Sequence, residues 1–277
     1  LKYYSIFATL CCTSLVFLIC LFIFKESTQA FSEIGLIRFF SDTSWNPEID
    51  ASSGTFGLNA MLLGSLLVTF VSILIAVPIA VLSSLFCMFY ANKKTAFFFE
   101  HIIKLLSGVP SVVLGFWGLV SIVPIIAMIK LPGPSLLAGS IVLAIMILPT
   151  ITLTANAAIR NIPQHIKQNA EALGITRFST ICNVILPSAK NEIGTGILLA
   201  YLRALGETMV VVMLCGNVVQ VPDSLFAPLR TLTANIALEM GYAYSLHRSA
   251  LFVSGLLLFA LISMLVLLRQ SLKKNEI

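Results

Sequence analysis

Six apolar runs, each close to or above the length a helix needs to cross a bilayer, set the limits on what this chain can become. They lie at about 6–24, 60–90, 107–129, 136–158, 193–219 and 249–268. A hydrocarbon core takes roughly 20 residues of α-helix, at about 1.5 Å each, and leaves no backbone polar group unpaired. Hydrophobic residues make up 58% of the 277, against 10% charged. That leaves too little polar surface to wrap such runs in a water-soluble domain. The sequence predicts an all-α polytopic membrane protein with six transmembrane helices. The second run is long enough to tilt or project, and Pro78 permits a kink in it. The first run reads as a span, with a signal peptide cleaved near Ser27 to Ala30 as the alternative.

Basic residues set the expected orientation. One set of connections and termini carries Lys2, Lys93, Lys94, Lys104, Arg160, Lys167, Arg177, Lys190, Arg269, Lys273 and Lys274. The other carries only Lys25, Arg38, Lys130, Arg230 and Arg248. Eleven against five places both termini and the connection at about 160–190 on the cytoplasmic side. The external connection, roughly 25–58, holds Glu26, Glu33, Asp42, Glu48 and Asp50, with turn signals at Asn46-Pro47 and Ser53-Gly54. It is expected to form a folded or half-folded cap, with Trp45 at the membrane interface, and serves as either a solvated linker or a docking surface. The expected division is therefore 1–58, an N-terminal span with an external loop, and 59–277, a transmembrane domain with a cytoplasmic loop.

Chemistry-bearing residues are few. Cys11, Cys12, Cys20, Cys87, Cys182 and Cys215 form no CxxC pair and have no neighbouring histidine cluster, so free thiols and no metal site are expected. His101, His165 and His247 stand far apart beside different helix ends and read as interfacial side chains. No Ser-His-Asp or Cys-His set can be assembled, so no catalytic residue is assigned. No basic tract interleaved with aromatics suggests nucleic acid. No G-x-x-x-x-G-K-[ST] loop suggests a bound nucleotide.

Two features break the apolar pattern. In YLRALGETMVVVMLCGN, Arg203 and Glu207 sit inside the fifth run at a spacing that shares one face of a continuous helix. Charges at bilayer depth normally face protein or water, so the two are expected to pair. The pair either lines a pathway, with Thr208 beside it, or merely neutralises itself. In SGVPSVVLGFWGL, Gly108, Pro110 and Ser111 open the third run. They serve close helix packing or a break lining a pathway.

The connection IRNIPQHIKQNAEALGITRFSTICNVILPSAKNEIG is too polar to span. It reads as two short helices around a turn at Gly174, with Pro163 near the first start and Phe178, Ile181 and Ile185 on one stripe. This segment resembles the coupling loop of binding-protein-dependent ABC importer permeases, whose pattern runs Glu-Ala-Ala, three residues, Gly, nine residues, Ile, any residue, Leu-Pro. Ala170, Gly174, Leu186 and Pro187 match. Gln168 and Asn169 replace the opening Glu-Ala, Val184 replaces the Ile, and Glu171 falls three positions late for the family's acid. The resemblance implies a type I importer permease fold and a loop seated on a cytosolic ATPase, with Ile175 and Phe178 as its apolar knob.

Three further stretches, TSWNP with a following FG, SGVPSVVLGFWGL and RALGETMVVVMLCGN, are similar to the C-type permease of Pst phosphate importers. That resemblance implies a bacterial inner-membrane permease carrying inorganic phosphate. It would act with a homologous A-type permease, an ATPase dimer holding ATP and Mg, and an external phosphate-binding protein. No cofactor is expected in this chain itself. A permease for another oxyanion or small solute is the near alternative. An ATP-independent secondary transporter and a membrane scaffold for phosphate sensing are the alternatives of other classes.

Overall fold

A chain whose apolar runs must close their own backbone hydrogen bonds becomes helix almost throughout, and this one does. The computed structural model describes residues 2–42, 44–47 and 54–274. The expected external acids Glu48 and Asp50 and the turn residue Ser53 lie outside the described residues, as do the side chains of Lys167, Glu171, Lys273 and Lys274. In chain order the helices are α1 (Lys2–Glu33), α2 (Arg38–Ser41), α3 (Asn59–Phe89), α4 (Lys93–Ser107), α5 (Ser111–Ile129), α6 (Leu136–Asn161) and α7 (Gln164–Ala172). Then follow α8 (Arg177–Thr180), a π-helical segment (Ile181–Ile185), α9 (Leu186–Leu205), α10 (Met209–Leu214), α11 (Leu232–Glu239) and α12 (Ser245–Lys274). Strands β1 (Trp45–Asn46) and β2 (Thr55–Phe56) pair antiparallel, Trp45 opposite Phe56.

Helices α1, α3, α5, α6 and α12 are long and apolar enough to cross a membrane. The remaining expected run, the fifth at 193–219, is partly helical and broken. α9 stops at Leu205, and the N–H of Gly206 turns back onto the Leu202 carbonyl at 3.1 Å. The third run is also cut differently from the expectation. Residues 93–107 are already helical as α4, and Gly108 to Pro110 separate them from α5. α3 continues as helix through Pro78.

The chain packs as two compact units. The first comprises residues 1–65, 217–221 and 229–268. Its core gathers Phe39, Phe56, Leu58, Met61, Leu232 and Leu251. The Ser249 hydroxyl stitches α12 to α1, donating to the Glu26 carbonyl at 2.6 Å and accepting from the Ala30 N–H at 2.9 Å. Trp45 is not the expected interfacial anchor. It is buried, and its Nε1–H donates to Glu239 Oε2 at 2.7 Å. Arg230 Nη1 donates to Glu239 Oε1 at 2.6 Å, and His247 Nε2 lies 2.9 Å from Oε2. His247 is therefore a member of a buried polar cluster and not an isolated interfacial ring. The cluster exists because a carboxylate only 7% exposed must have its charge met by donors.

The second unit comprises residues 66–216, 222–228 and 269–277 and is organised around α6, which packs most extensively on α9. α5 also lies close to α6 and α10. A Cβ at Gly118 would stand 2.6 Å from Val142 Cγ2 and 3.0 Å from Leu214 Cδ1, so glycine lets these helices approach. On α4, Glu100 holds Lys104 at 2.9 Å and reaches across to Arg160, at the end of α6, at 2.7 Å. Hydrogen bonds from Lys104 and then Arg160 hold the Glu100 carboxyl below its ordinary range.

Candidate functional site

The second unit carries a helical rod with a polar turn at one end and an arginine at the other. α8, the π segment and α9 follow one another without interruption from Arg177 to Leu205. At about 1.5 Å per residue this is a stiff element of roughly 40 Å.

At the lower end, α7 closes on Gly174. The Ile175 N–H returns to the Ala170 carbonyl at 3.2 Å and the Leu173 N–H to Asn169 at 3.1 Å. Gly174 has φ of +68°, a conformation that costs a residue with a Cβ about 1–2 kcal/mol. Nothing lies within 4 Å of where its Cβ would stand, so the demand for glycine comes from the backbone and not from crowding. Thr176 then caps α8, its Oγ1 accepting from the Ser179 N–H. Phe178 is 71% exposed and Leu173 77%, whereas Ile175 is only 36% exposed. The expected knob of Ile175 and Phe178 is thus joined by Leu173. Ala170 is buried under the turn, and Ile181 and Ile185 are buried in the core formed with Ala155, Ile159 and Ile162.

The π segment precedes Pro187 for a local reason. Proline has no N–H and its ring crowds the carbonyl four residues earlier, here that of Asn183. The ladder opens by one residue instead, and the Leu186 N–H reaches the Ile181 carbonyl. Such single π turns occur mostly inside α-helices, frequently at functional sites. Leu186 is half-buried and Pro187 exposed.

At the upper end the structure separates the two charges that the sequence placed on one face. Arg203 occupies the last turn of α9, is exposed, and donates from Nη1 to Thr150 Oγ1 on α6 at 3.3 Å. Glu207 lies beyond the helix stop at Gly206. Its Oε1 accepts from the Met209 N–H at 3.2 Å, at the start of α10. The i, i+4 pairing presupposed a helix continuing through Gly206, and no ion pair joins Arg203 to Glu207 among the described residues. Thr208 Oγ1 reaches the Gly206 carbonyl at 3.5 Å. Gly108, Pro110 and Ser111 form the junction between α4 and α5, Gly108 and Pro110 exposed and Ser111 half-buried.

Thr150 had no signal in the sequence, because an isolated threonine in an apolar helix is ordinary. The Arg230, Glu239, His247 and Trp45 cluster was equally hidden, with Trp45 and Glu239 separated by 194 positions.

Comparison with known proteins follows this geometry. Residues 76–272 match the model of the family described as binding-protein-dependent transport system inner membrane component. The chain is 37% identical over 264 residues to a probable ABC transporter permease protein, YqgH, of Bacillus subtilis, covering 93% of this chain and 85% of that protein. It is 32% identical over 289 residues to the phosphate transport system permease protein PstC of Pasteurella multocida, covering 95% of this chain and 86% of that one. Among solved structures, a bacterial ABC transporter for the acidic polysaccharide alginate superimposes with a TM-score of 0.67 at 15% identity, covering 98% of this chain and 96% of that chain. The MetNI methionine ABC transporter in an inward-facing conformation gives 0.59 at 19% identity, covering 79% and 94%. These two likenesses carry the fold, which is that of ABC importer permeases. The chain belongs to the binding-protein-dependent transport system inner membrane component family, and is a multi-pass protein of the inner membrane.

Proposed function

We propose that this chain is the C-type permease subunit of an ATP-driven phosphate importer and forms half of its translocation pathway. The observation that carries this reading is its likeness, along most of its length, to proteins named as PstC phosphate permeases. The exposed guanidinium of Arg203 supports it, because a planar fork of N–H donors suits a tetrahedral oxyanion. A homologous A-type permease supplies the other half of the pathway, and an external phosphate-binding protein delivers inorganic phosphate. Hydrolysis belongs to a cytosolic ATPase dimer carrying ATP and Mg, since this sequence has no phosphate-cradling loop. Both termini lie in the cytoplasm, a reading the eleven-to-five distribution of basic residues supports.

In this reading the polar turn around Gly174 seats on the ATPase through Leu173, Ile175 and Phe178. Movement there passes along the rod to Arg203, with Ala170, Leu186 and Pro187 keeping the turn joined to the helix. Glu207 and Thr208, beyond the break, border the same stretch of pathway. The Glu207 carboxylate keeps the anion from settling too firmly, since conduction needs a site weak enough to leave, and Thr208 adds a hydroxyl beside it. Gly108, Pro110 and Ser111 allow α4 and α5 to meet the pathway at different angles.

The test is phosphate uptake by the reconstituted complex with Arg203 replaced. Arg203→Gln is expected to abolish uptake while the ATPase still co-purifies, and Arg203→Lys to restore it only weakly, because a point charge lacks the fork. Normal uptake by Arg203→Gln would remove the pathway role. Loss of assembly in both variants would assign Arg203 a structural one.

A further inference from the structure

We infer that Thr150 is a positioning residue for Arg203 and supplies a second hydrogen-bond donor to the transported oxyanion, an inference that rests on the pathway reading of Arg203. The contact is the 3.3 Å hydrogen bond from Arg203 Nη1 to Thr150 Oγ1, between α9 and α6. The Arg203 guanidinium makes no other hydrogen bond among the described residues, so the rest of its fork remains available.

Thr150 also differs from the threonines beside it. A threonine within a helix ordinarily turns its hydroxyl back onto a carbonyl of the preceding turn. Thr152 does so to Leu148 at 2.9 Å, and Thr154 to Thr150 at 2.8 Å. Thr150 does not. Its oxygen accepts from Arg203, and its own proton has no acceptor among the described residues. The residue is half-buried, which leaves that proton reachable. Guanidinium and hydroxyl therefore stand side by side as two donor groups, and oxygens of one tetrahedral anion can take both.

The length of the bond fits this role. N–H···O bonds cluster at about 2.9–3.0 Å, so one of 3.3 Å is a weak tether. It narrows the rotamers of a long side chain before the anion arrives and yields readily once the anion competes for the same N–H. Of the two χ1 rotamers open to a threonine in a helix, the one adopted here turns the hydroxyl to Arg203.

The experiment compares Thr150→Val, which keeps the branch and removes the hydroxyl, with Thr150→Ser, which restores the hydroxyl. Both are measured in the assembled complex in proteoliposomes, with ATPase co-purification as the check on folding. Thr150→Val is expected to raise the KM for phosphate by about five-fold, the loss of one modest hydrogen bond. Its maximal ATP-driven uptake should stay near parental, and Thr150→Ser should have a near-parental KM. In an Arg203→Lys background, Thr150→Val should raise KM by less than in the parental protein, since residues in contact are not additive. An unchanged KM in Thr150→Val, while Arg203→Gln abolishes uptake, would overturn the inference and leave the pathway reading standing. Equal defects in the Val and Ser variants would also overturn it, by pointing to packing instead of the hydroxyl. If Thr150→Val fails to assemble, Thr150→Ala takes its place with the same expected rise in KM. Normal uptake by Arg203→Gln would remove both readings together.

Discussion

Glu239 shows how little of a membrane protein's charge can be left without a partner. Its carboxylate, 7% exposed, takes Arg230 on one oxygen and Trp45 and His247 on the other. Arg230 is further held by the Asn235 side chain at 3.0 Å and the Asn217 carbonyl at 3.0 Å. Removing one member of a buried ion pair leaves the other charge stranded and costs about 3–5 kcal/mol. Glu239→Ala should therefore lower the melting temperature of the detergent-solubilised protein by several degrees, read by intrinsic fluorescence. Glu239→Gln should do less damage, because the amide still accepts from Trp45. An unchanged melting temperature in Glu239→Ala would contradict this reading of the cluster. None of these partnerships could be read from spacing, since Trp45, Arg230 and His247 are brought to Glu239 only by folding. Arg203 and Glu207 illustrate the opposite error, a spacing that implied a contact which the helix stop at Gly206 removes.

At the scale of elements, the rod from Arg177 to Leu205 matters because the proposed function gives each of its ends a task. Its lower turn depends on Gly174 at φ +68°. Gly174→Val strains that turn by about 1–2 kcal/mol, and more where the β-branch crowds the backbone. The variant should insert normally and either release the ATPase or hydrolyse ATP without moving phosphate, as measured by ATPase activity and uptake on the same proteoliposomes. Parental uptake from an assembled Gly174→Val complex would show that this turn is not the handle. The helices themselves were legible because a run of apolar residues has only one way to satisfy its backbone in lipid. The breaks were less so. Gly206 falls inside a run that hydropathy reads as one span, and α4 is too polar for a hydropathy window yet caps itself through Asn92, whose side chain accepts from the Thr95 N–H at 2.8 Å. The turn at Gly174 is readable because glycine at a helix end and proline at a helix start leave local marks in sequence.

At the scale of the whole molecule, a membrane-spanning importer fold is, in the proposed function, driven by a separate ATPase. Family membership and the importer fold follow from the match over residues 76–272 and the structural neighbours. The cargo and the direction of coupling are what transport must decide. The most direct measurement is accumulation of radiolabelled phosphate in proteoliposomes holding this chain with its partner permease and ATPase, with binding protein and phosphate outside and MgATP inside. Uptake should require both ATP and the ATPase, stop with Arg203→Gln in this chain, and resist competition by excess sulfate. Phosphate accumulation that continues without ATP, or that sulfate displaces equally well, would contradict the account.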